Sequence, residues 1–258
     1  MTGLLARGAG GAALSLALAG CASLDAPQEG VGESPWAQAS GGGWQHHAFP
    51  SKAPTRYRYV REQGRDAVSA TSRSSASALR RREDLAAQDL GRLQFSWRVP
   101  ALIAQADMGQ REDDDAVVRV VLAFDGDRSR FSPRDAMLSE LSRALTGEEL
   151  PYATLMYVWC NRRPAGTVIA NPRTDRVRKL VVESGAANLG RWLEYERDVR
   201  ADFERVFGEA PGRLRAVAIM TDTDNTRSEA SAWYGPVRWV APAVTPAPLS
   251  VIPAKAGT

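Results

Sequence analysis

The segment 215–240 contains the side chains best suited to chemistry. An apolar run at 217–220 lies between turn-forming residues, which favours a short buried strand over a helix. Asp222, Asp224 and Asn225 follow this run directly. Carboxylate and amide oxygens bind hard cations and also hydrogen-bond hydroxylated ligands. The sequence therefore predicts a ligand or cation site on the loop after this strand.

Three interpretations of this loop stay open. Calcium takes six to eight oxygen ligands, so Asp222, Asp224 and Asn225 supply at most about half of a calcium site. Asp125 or Asp127, or the acidic segment 113–115, would have to contribute the rest. A hydrolase would use two of these carboxylates as general acid and base, with or without a metal. In the third interpretation the side chains only hydrogen-bond the backbone of a turn, as Asp and Asn often do.

A second candidate site lies on the predicted strand 153–161. Alternation places Tyr157, Trp159 and Asn161 on one face of this strand. The other face carries Met156, Val158 and Cys160. If that second face meets the core, the first forms an aromatic and amide platform of the kind on which sugar rings stack. If both faces are buried, Tyr157 and Trp159 are core residues instead.

Arg119 is the one charged residue in the otherwise apolar segment 117–124, which has the character of a central strand. An unpaired buried charge costs several kcal/mol, so Arg119 needs a carboxylate partner or an opening to solvent. We therefore include Arg119 among the candidate ligand-binding residues. Cys160 is predicted to be a buried, inert thiol.

Short β-type segments separated by turn residues recur through the chain. The clearest is 93–99, in which apolar and polar residues alternate, as in a strand with one buried and one exposed face. We predict a mainly β fold, an antiparallel β-sandwich of jelly-roll type, in one domain at residues 44–240.

Two helices are predicted to lie at the periphery of this sandwich. Ser132 caps the first, Pro133 suits its first turn and Gly147 ends it. The second spans about residues 198–207 and ends before Gly208.

The start of the chain resembles a bacterial lipoprotein signal. Arg7 precedes a small, apolar stretch at 8–19, and Leu18-Ala-Gly-Cys21 matches a lipobox. The stretch is too short to cross about 30 Å of hydrocarbon as a helix. We predict a signal peptide at 1–20 and lipidation of Cys21, which anchors the protein in a membrane. Because Ala22 and not Asp follows, the pattern resembles that of outer-membrane lipoproteins facing the periplasm.

The two ends of the chain have compositions typical of disorder. Residues 21–43 are rich in Ala, Gly, Ser and Pro and are predicted to be a flexible tether. Residues 241–258 combine Pro and Ala without a period and are predicted to be a disordered tail.

The charge pattern argues against a nucleic-acid partner. The formal net charge is +3, from 33 basic and 30 acidic residues mixed along the chain. The densest basic cluster, at 80–82, is followed directly by Glu83 and Asp84, which largely cancel its field. We predict that this cluster is a solvated turn.

Several motifs together resemble the domain of unknown function 3047 family. They are Trp44-x4-Phe49-Pro50, Phe95-Ser-Trp97-Arg98-Val99, Trp159-Cys-Asn161, and the segment 219–226 with Tyr234-Gly235. The resemblance covers about residues 44–240 and implies a bacterial exported protein or lipoprotein without established chemistry. The order of its strands is similar to that of galactose-binding-like jelly rolls, although a fold alone does not fix a function.

The sequence as a whole favours an envelope lipoprotein that binds a glycan or another envelope ligand without catalysis. The candidate ligand-binding residues are Arg119, Tyr157, Trp159, Asn161, Asp222, Asp224 and Asn225. A carboxylate- or metal-dependent hydrolase, with calcium as a candidate ion, is one alternative. A structural lipoprotein with a protein partner is the other.

Overall fold

Strands dominate residues 30–240, the part of the chain that the computed structural model describes. The helices are α1 (Pro35–Ala39), α2 (Pro133–Thr146) and α3 (Val199–Phe207). The strands are β1 (Trp44–Ala48), β2 (Arg56–Glu62), β3 (Arg65–Arg73), β4 (Ala76–Leu85), β5 (Arg92–Arg98), β6 (Ala116–Phe124), β7 (Ala153–Cys160), β8 (Val168–Asn171), β9 (Thr174–Ser184), β10 (Trp192–Asp198), β11 (Leu214–Asp222), β12 (Glu229–Tyr234) and β13 (Arg238–Val240). The signal peptide, Cys21 and the tail lie outside the described residues.

The strands form two sheets that pack face to face. The larger sheet has the order β1-β4-β11-β6-β7-β9-β8, and the smaller has the order β10-β5-β12-β3-β2, with β13 also paired to β5. Neighbouring strands are antiparallel except β7 and β9, which run parallel because the short β8 returns the chain between them. The predicted mainly β sandwich is confirmed, with this one parallel pair as a variation.

Large aromatic side chains fill the space between the sheets. Leu93, Phe95 and Trp97 of β5 are all buried, which confirms the alternation predicted for this strand. Phe95 stacks on Tyr157 of the opposite sheet, with ring centroids 5.5 Å apart. The core thus depends on contacts between strands that are far apart in the sequence.

Both predicted helices are confirmed together with their caps. Ser132 accepts a hydrogen bond from the backbone N–H of Asp135 at the start of α2, and Gly147 takes a positive φ of 75° at its end. The α3 helix closes the core, because Phe203 is fully buried and packs against Phe124 with ring centroids 4.7 Å apart. No helix within residues 30–240 is long and apolar enough to cross a membrane.

The predicted tether is wrong for residues 30–43, which belong to the folded domain. Trp36 of α1 has no exposed surface, Val31 is 1% exposed, and the rings of Trp36 and Trp44 lie 4.9 Å apart. Ser34 caps this short helix by accepting from the N–H of Ala37. Composition suggested a linker because it averages over the segment, whereas one large buried ring is enough to fix the segment to the core.

Replacing Trp36 tests this boundary. We expect Trp36→Ala to lower the free energy of unfolding by about 3–5 kcal/mol, since it removes a fully buried ring and leaves a cavity. Urea unfolding measures the change, and Glu33→Ala, at an exposed position of the same segment, is the control. Equal stability of the two variants would show that the segment is a tether after all.

Candidate functional site

The acidic loop after β11 folds back onto Asp115, at the start of β6. The Asp115 carboxylate accepts hydrogen bonds from the backbone N–H groups of Asn225 at 3.2 Å and Thr226 at 2.7 Å. It also accepts from the Thr226 hydroxyl at 2.6 Å. The Asn225 side chain donates to the carbonyl of Arg111 at 2.8 Å. This part of the loop is therefore a hydrogen-bonded turn, which was one of the open interpretations.

Arg119 lies on β6 beside the last residue of β11 and meets its carboxylate. Its Nε and Nη2 each donate to Asp222 at 2.9 Å, and Nη2 also donates to the Asp114 carbonyl at 2.8 Å. Arg119 and Asp222 are both only 3% exposed. Of the two alternatives predicted for Arg119, a carboxylate partner or an opening to solvent, the structure shows the first. Its guanidinium is occupied by these contacts within the protein.

Two lysines complete this group of charges. Lys179 of β9 is fully buried, and its Nζ donates to the Asp114 carboxylate at 2.7 Å and to the Met108 carbonyl at 2.9 Å. Lys52 forms an ion pair with Asp224. We call the set formed by Asp114, Asp115, Asp222, Asp224, Arg119, Lys179 and Lys52 the charge network. Because its members come from four separate stretches of the chain, it ties the loops at this end of the sandwich together.

Burial and mutual charge shift the pKa values of the network. Burial raises the pKa of Asp222 to about 6, while Arg119 opposes the shift. Burial opposes the charge of Arg119, but Asp222 and Asp114 outweigh it and raise the pKa of Arg119 above its usual range. Burial and the charge of Arg119 lower the pKa of Lys179 to about 8, against the effect of Asp114. Charges in the network are thus held in place by their partners and not by water.

The charge network stabilises the fold, because its carboxylates are occupied by contacts within the protein. Carboxylate oxygens of Asp115, Asp222 and Asp224 lie within 4.8 Å of one another, as the cation hypothesis required. However, Asp222 is engaged by Arg119 and Asp224 by Lys52. Asp115 accepts from the backbone of the loop after β11. Three carboxylates also fall short of the six to eight oxygens that calcium takes. The calcium hypothesis stays a prediction, and the observed contacts explain the acidic residues without it.

The predicted aromatic platform is wrong. Tyr157 is fully buried and donates to Asp202 at 2.9 Å, and Trp159 is 1% exposed and donates to the Gly185 carbonyl at 2.9 Å. Asn161 donates to the Ile103 carbonyl at 2.7 Å and so fixes the loop before β6. Both aromatics face the main core, which confirms the alternative in which both faces of β7 are buried.

The opposite face of β7 is covered by a smaller apolar cluster. It consists of Met108, Ala116, Val158, Cys160, Ile169 and Val181, with Met156 packed against it. Met108 belongs to the loop between β5 and β6, about fifty positions away from β7 in the sequence, so alternation within β7 cannot reveal this cover. Cys160 is buried as predicted.

An open cleft of about 740 Å³ lies at the β1 edge of the larger sheet, where the sequence predicted no site. It is lined by residues 38–43, 45–46, 80–83 and 238–239. The cluster 80–82 lies within β4, so the predicted solvated turn is wrong. The three arginines alternate between the two faces of β4. The apolar residues just before them, at 76–79, could have predicted this strand from the sequence.

Arg81 and its partners form the floor of this cleft. The Nε of Arg81 donates to Glu83 at 2.9 Å, and the guanidinium lies over the Trp44 ring at 5.5 Å. Glu83 also accepts from the Trp239 indole at 3.1 Å. Gly41 has a φ of 90°, and a side chain at this position would collide with the Arg81 guanidinium. The Gly-rich segment thus allows close approach of the loop to the arginine.

The cleft is positively charged. Arg80, Arg82 and Arg238 line it with Arg81, and Glu148 binds both Arg80 and Arg82. Arg82 nevertheless stays 78% exposed. Arg238 donates to the Ala39 carbonyl at 3.0 Å and has no carboxylate partner within residues 30–240. Arg81 and Arg238 lie beside Glu83, whereas Arg80 and Arg82 extend from the other face of β4 and share Glu148. The four arginines around the cleft outnumber these two carboxylates, and the surplus attracts anionic groups.

A second depression continues the cleft along the surface. It has a volume of about 300 Å³ and shares Ala39 and Arg238 with the first. Arg65 and Glu194, which form an ion pair, lie on its far side. Ala39 and Arg238 thus contribute to both depressions.

Comparisons with known proteins place the chain in a family. The model of the family described as protein of unknown function (DUF3047) matches residues 42–238. A comparison with curated proteins gives no match.

Two solved structures show a weak similarity to this chain. The xyloglucanase domain of NopAA, a type three effector from Sinorhizobium fredii in complex with cellobiose, has a TM-score of 0.42 and 9% identity over 77% of this chain and 92% of that one. The family 11 carbohydrate-binding module of cellulase Lic26A-Cel5E from Clostridium thermocellum has a TM-score of 0.38 and 6% identity over 77% and 88%. At such similarity neither structure identifies a ligand or a site in this chain.

The role of the charge network can be tested with two neighbouring aspartates. We expect Asp222→Asn to destabilise the protein by about 3 kcal/mol or more, because it breaks a buried pair and leaves Arg119 short of a partner. Asp224→Asn should cost less than about 1 kcal/mol, because its partner Lys52 is largely exposed. Urea unfolding measures both changes. A large loss of stability in Asp224→Asn alone would refute this division of roles.

Lys179 gives the network a predicted pH dependence. Its folded pKa of about 8 lies below the value of an unfolded lysine, so the unfolded chain binds more protons between the two values and stability rises with pH there. From about pH 7 to about pH 9.5, we expect the wild type to gain about 2 kcal/mol relative to Lys179→Met. Urea unfolding of both proteins across this range provides the measurement. A constant difference between them would mean that burial does not lower the pKa of Lys179.

Proposed function

The chain belongs to the family described as protein of unknown function (DUF3047), and we propose that it is a non-catalytic glycan-binding domain of the cell envelope. The observation that carries this proposal is the open, arginine-lined cleft between residues 38–43 and 80–83. Its volume of about 740 Å³ lies within the usual range for binding sites of small molecules. It replaces the buried platform as the ligand site.

The groups that line the cleft suit a sugar. Arginine, glutamine and histidine side chains provide several hydrogen-bond donors to hydroxyl groups, and Gln38, Gln45 and His46 lie beside the arginines. Trp239 is half-buried at the margin and offers part of its ring for stacking. Because the second depression shares Arg238 with the cleft, a chain of several sugars fits this surface better than a single one.

The surplus of arginine favours a glycan that carries carboxylate or phosphate groups. Arg82 is largely exposed, and Arg238 bonds only a backbone carbonyl among the described residues. Guanidinium groups bind carboxylate and phosphate oxygens through paired, charge-assisted hydrogen bonds. Burial and the charge of Arg80 lower the pKa of the neighbouring His47, in keeping with a positive potential at this edge.

The arrangement of carboxylates supports binding without hydrolysis. Hydrolysis of a glycosidic bond typically needs two carboxyl groups on opposite sides of the bond. Among the described residues that line the main cleft, Glu83 is the only acid, and it already accepts from Arg81 and Trp239. The second depression adds Asp66, which accepts from the Tyr59 hydroxyl, and Glu194, which pairs with Arg65. The carboxylates of the charge network are engaged in ion pairs away from this cleft. These contacts favour the binding function over the hydrolase alternative.

The same proposal includes a lipid anchor at Cys21 and a location on the periplasmic side of the outer membrane. It rests on the lipobox-like Leu18-Ala-Gly-Cys21 and on Ala22. Such an anchor would keep the cleft close to envelope polysaccharides and raise their effective concentration.

Titration with polysaccharides tests the cleft. We expect acidic envelope polysaccharides to change the tryptophan fluorescence of the protein, since Trp239 lies at the margin of the cleft. Arg82→Gln and Arg238→Gln should each weaken binding by about tenfold, since a hydrogen bond to a charged group contributes about 1.5 kcal/mol. Neutral polysaccharides should bind more weakly than acidic ones.

Arg73→Gln is the matched control for this titration. Arg73 is 74% exposed in its side chain and pairs with one glutamate, much as Arg82 does, but it lies outside the cleft. Its replacement should leave affinity unchanged. Equal effects of Arg73→Gln and Arg82→Gln would show that binding follows overall charge and would remove the cleft as the site.

A further inference from the structure

The α2 helix turns a polar face toward the protein and an apolar face toward the solvent, the reverse of a typical surface helix. Its polar residues Asp135 and Ser139 are buried, with exposures of 5% and 4%. Its apolar residues Met137, Leu141 and Leu145 are 62%, 53% and 67% exposed. These three residues recur every four positions, so they form one continuous stripe on the face turned away from the protein.

Polar contacts hold the helix in this orientation. Ser132 donates to Asp135 at 2.6 Å, and Thr174 of β9 also donates to Asp135. Arg128 donates to Ser139 at 2.9 Å. A buried carboxylate and a buried hydroxyl fix the face of the helix that meets the protein. Rotating the helix about its axis to bury its leucines would leave both groups without hydrogen-bond partners. The stripe therefore stays exposed in the isolated domain.

Three large apolar side chains on one exposed helical face indicate a contact surface. Soluble proteins seldom leave adjoining apolar side chains in water unless the patch meets a partner. Arg134 lies three positions before Met137 on the same face, so the stripe ends in a positive charge at its N-terminal side. An apolar stripe bordered by a basic residue is typical of helices that lie in the headgroup region of a membrane.

The length of the chain before the domain favours a membrane as the partner. The described fold begins at Gly30, nine residues after Cys21 in the sequence. Nine residues span at most about 30 Å even when fully extended. A lipid on Cys21 would therefore keep the domain close to the bilayer, whatever conformation those residues take.

The end of α2 lies near residues 38–43, in the first part of the described fold. Glu148, just after the helix, binds Arg80 and Arg82, and these arginines line the same cleft as residues 38–43. The C-terminal end of α2 and residues 38–43 thus occupy neighbouring parts of the surface.

We propose that the stripe of Met137, Leu141 and Leu145 docks in the headgroup region of the membrane to which Cys21 anchors the domain. The contact orients the sandwich on the bilayer and removes the apolar side chains from water. This proposal shares the anchor with the proposed function but does not depend on what the cleft binds.

Site-specific fluorescence tests the docking. The lipidated protein carrying Leu141→Cys is labelled with the environment-sensitive dye nitrobenzoxadiazole and placed in vesicles of phosphatidylethanolamine and phosphatidylglycerol. Arg143→Cys is the matched control, because its side chain is 58% exposed on the same helix but lies outside the stripe. Cys160 is buried and does not compete for the dye in the folded protein. We expect a blue shift and a several-fold loss of iodide quenching at position 141 but not at 143.

Three results would overturn the proposal. Equal quenching at positions 141 and 143 on vesicles would show that the stripe stays in water. Protection of position 141 in an unlipidated Cys21→Ser protein without vesicles would show that another copy of the chain covers it. A mass spectrum of the mature protein without lipid on Cys21 would remove the anchor. Polysaccharide titration of the same proteins reports on the cleft separately, so failure of docking and failure of glycan binding are distinguishable.

Discussion

The buried ion pair between Arg119 and Asp222 is the constraint on which this end of the sandwich depends. Arg119 stands in the middle of an apolar strand, and without its partners the cost of burying its charge would amount to several kcal/mol. Asp222, at the end of β11, offsets this cost by pairing with the guanidinium. Asp114 contacts both the same guanidinium and Lys179 of β9. Loops that carry these acids must therefore close over the sheet, so the residues that look most catalytic in the sequence act as structural ties.

This closure also decides which surfaces are available to a ligand. The segment between β5 and β6 ends in Asp114 and Asp115, and Met108 from that segment covers the outer face of β7. Tyr157 and Trp159 then face the main core between the sheets. With one end of the sandwich sealed, the open polar surface lies at the opposite edge, where β1 and β4 meet residues 38–43 and 238–239. The proposed binding site is thus displaced from the acidic loop to an arginine-lined cleft.

The two proposals place different chemistry on neighbouring surfaces of one domain. The cleft offers a surplus of guanidinium groups to an acidic glycan, and α2 offers an apolar stripe to a bilayer. Glu148 follows α2 closely in the chain and binds Arg80 and Arg82 of the cleft, so it links the two surfaces. A domain oriented by its helix on the membrane would present the cleft at a defined height above the lipid.

The sequence by itself determined the local features of this protein. Alternation predicted β5, caps predicted α2 and α3, and motifs identified the family. The cost of a buried charge predicted either a carboxylate partner for Arg119 or an opening to solvent. Each of these depends on neighbours along the chain or on the cost of burying one group. Only the tertiary structure decided that Trp36 belongs to the core, that both faces of β7 are covered, and that residues 38–43, 80–83 and 238–239 form one cleft. These features depend on contacts between residues far apart in sequence, which periodicity and composition cannot report because both are properties of a single stretch of chain.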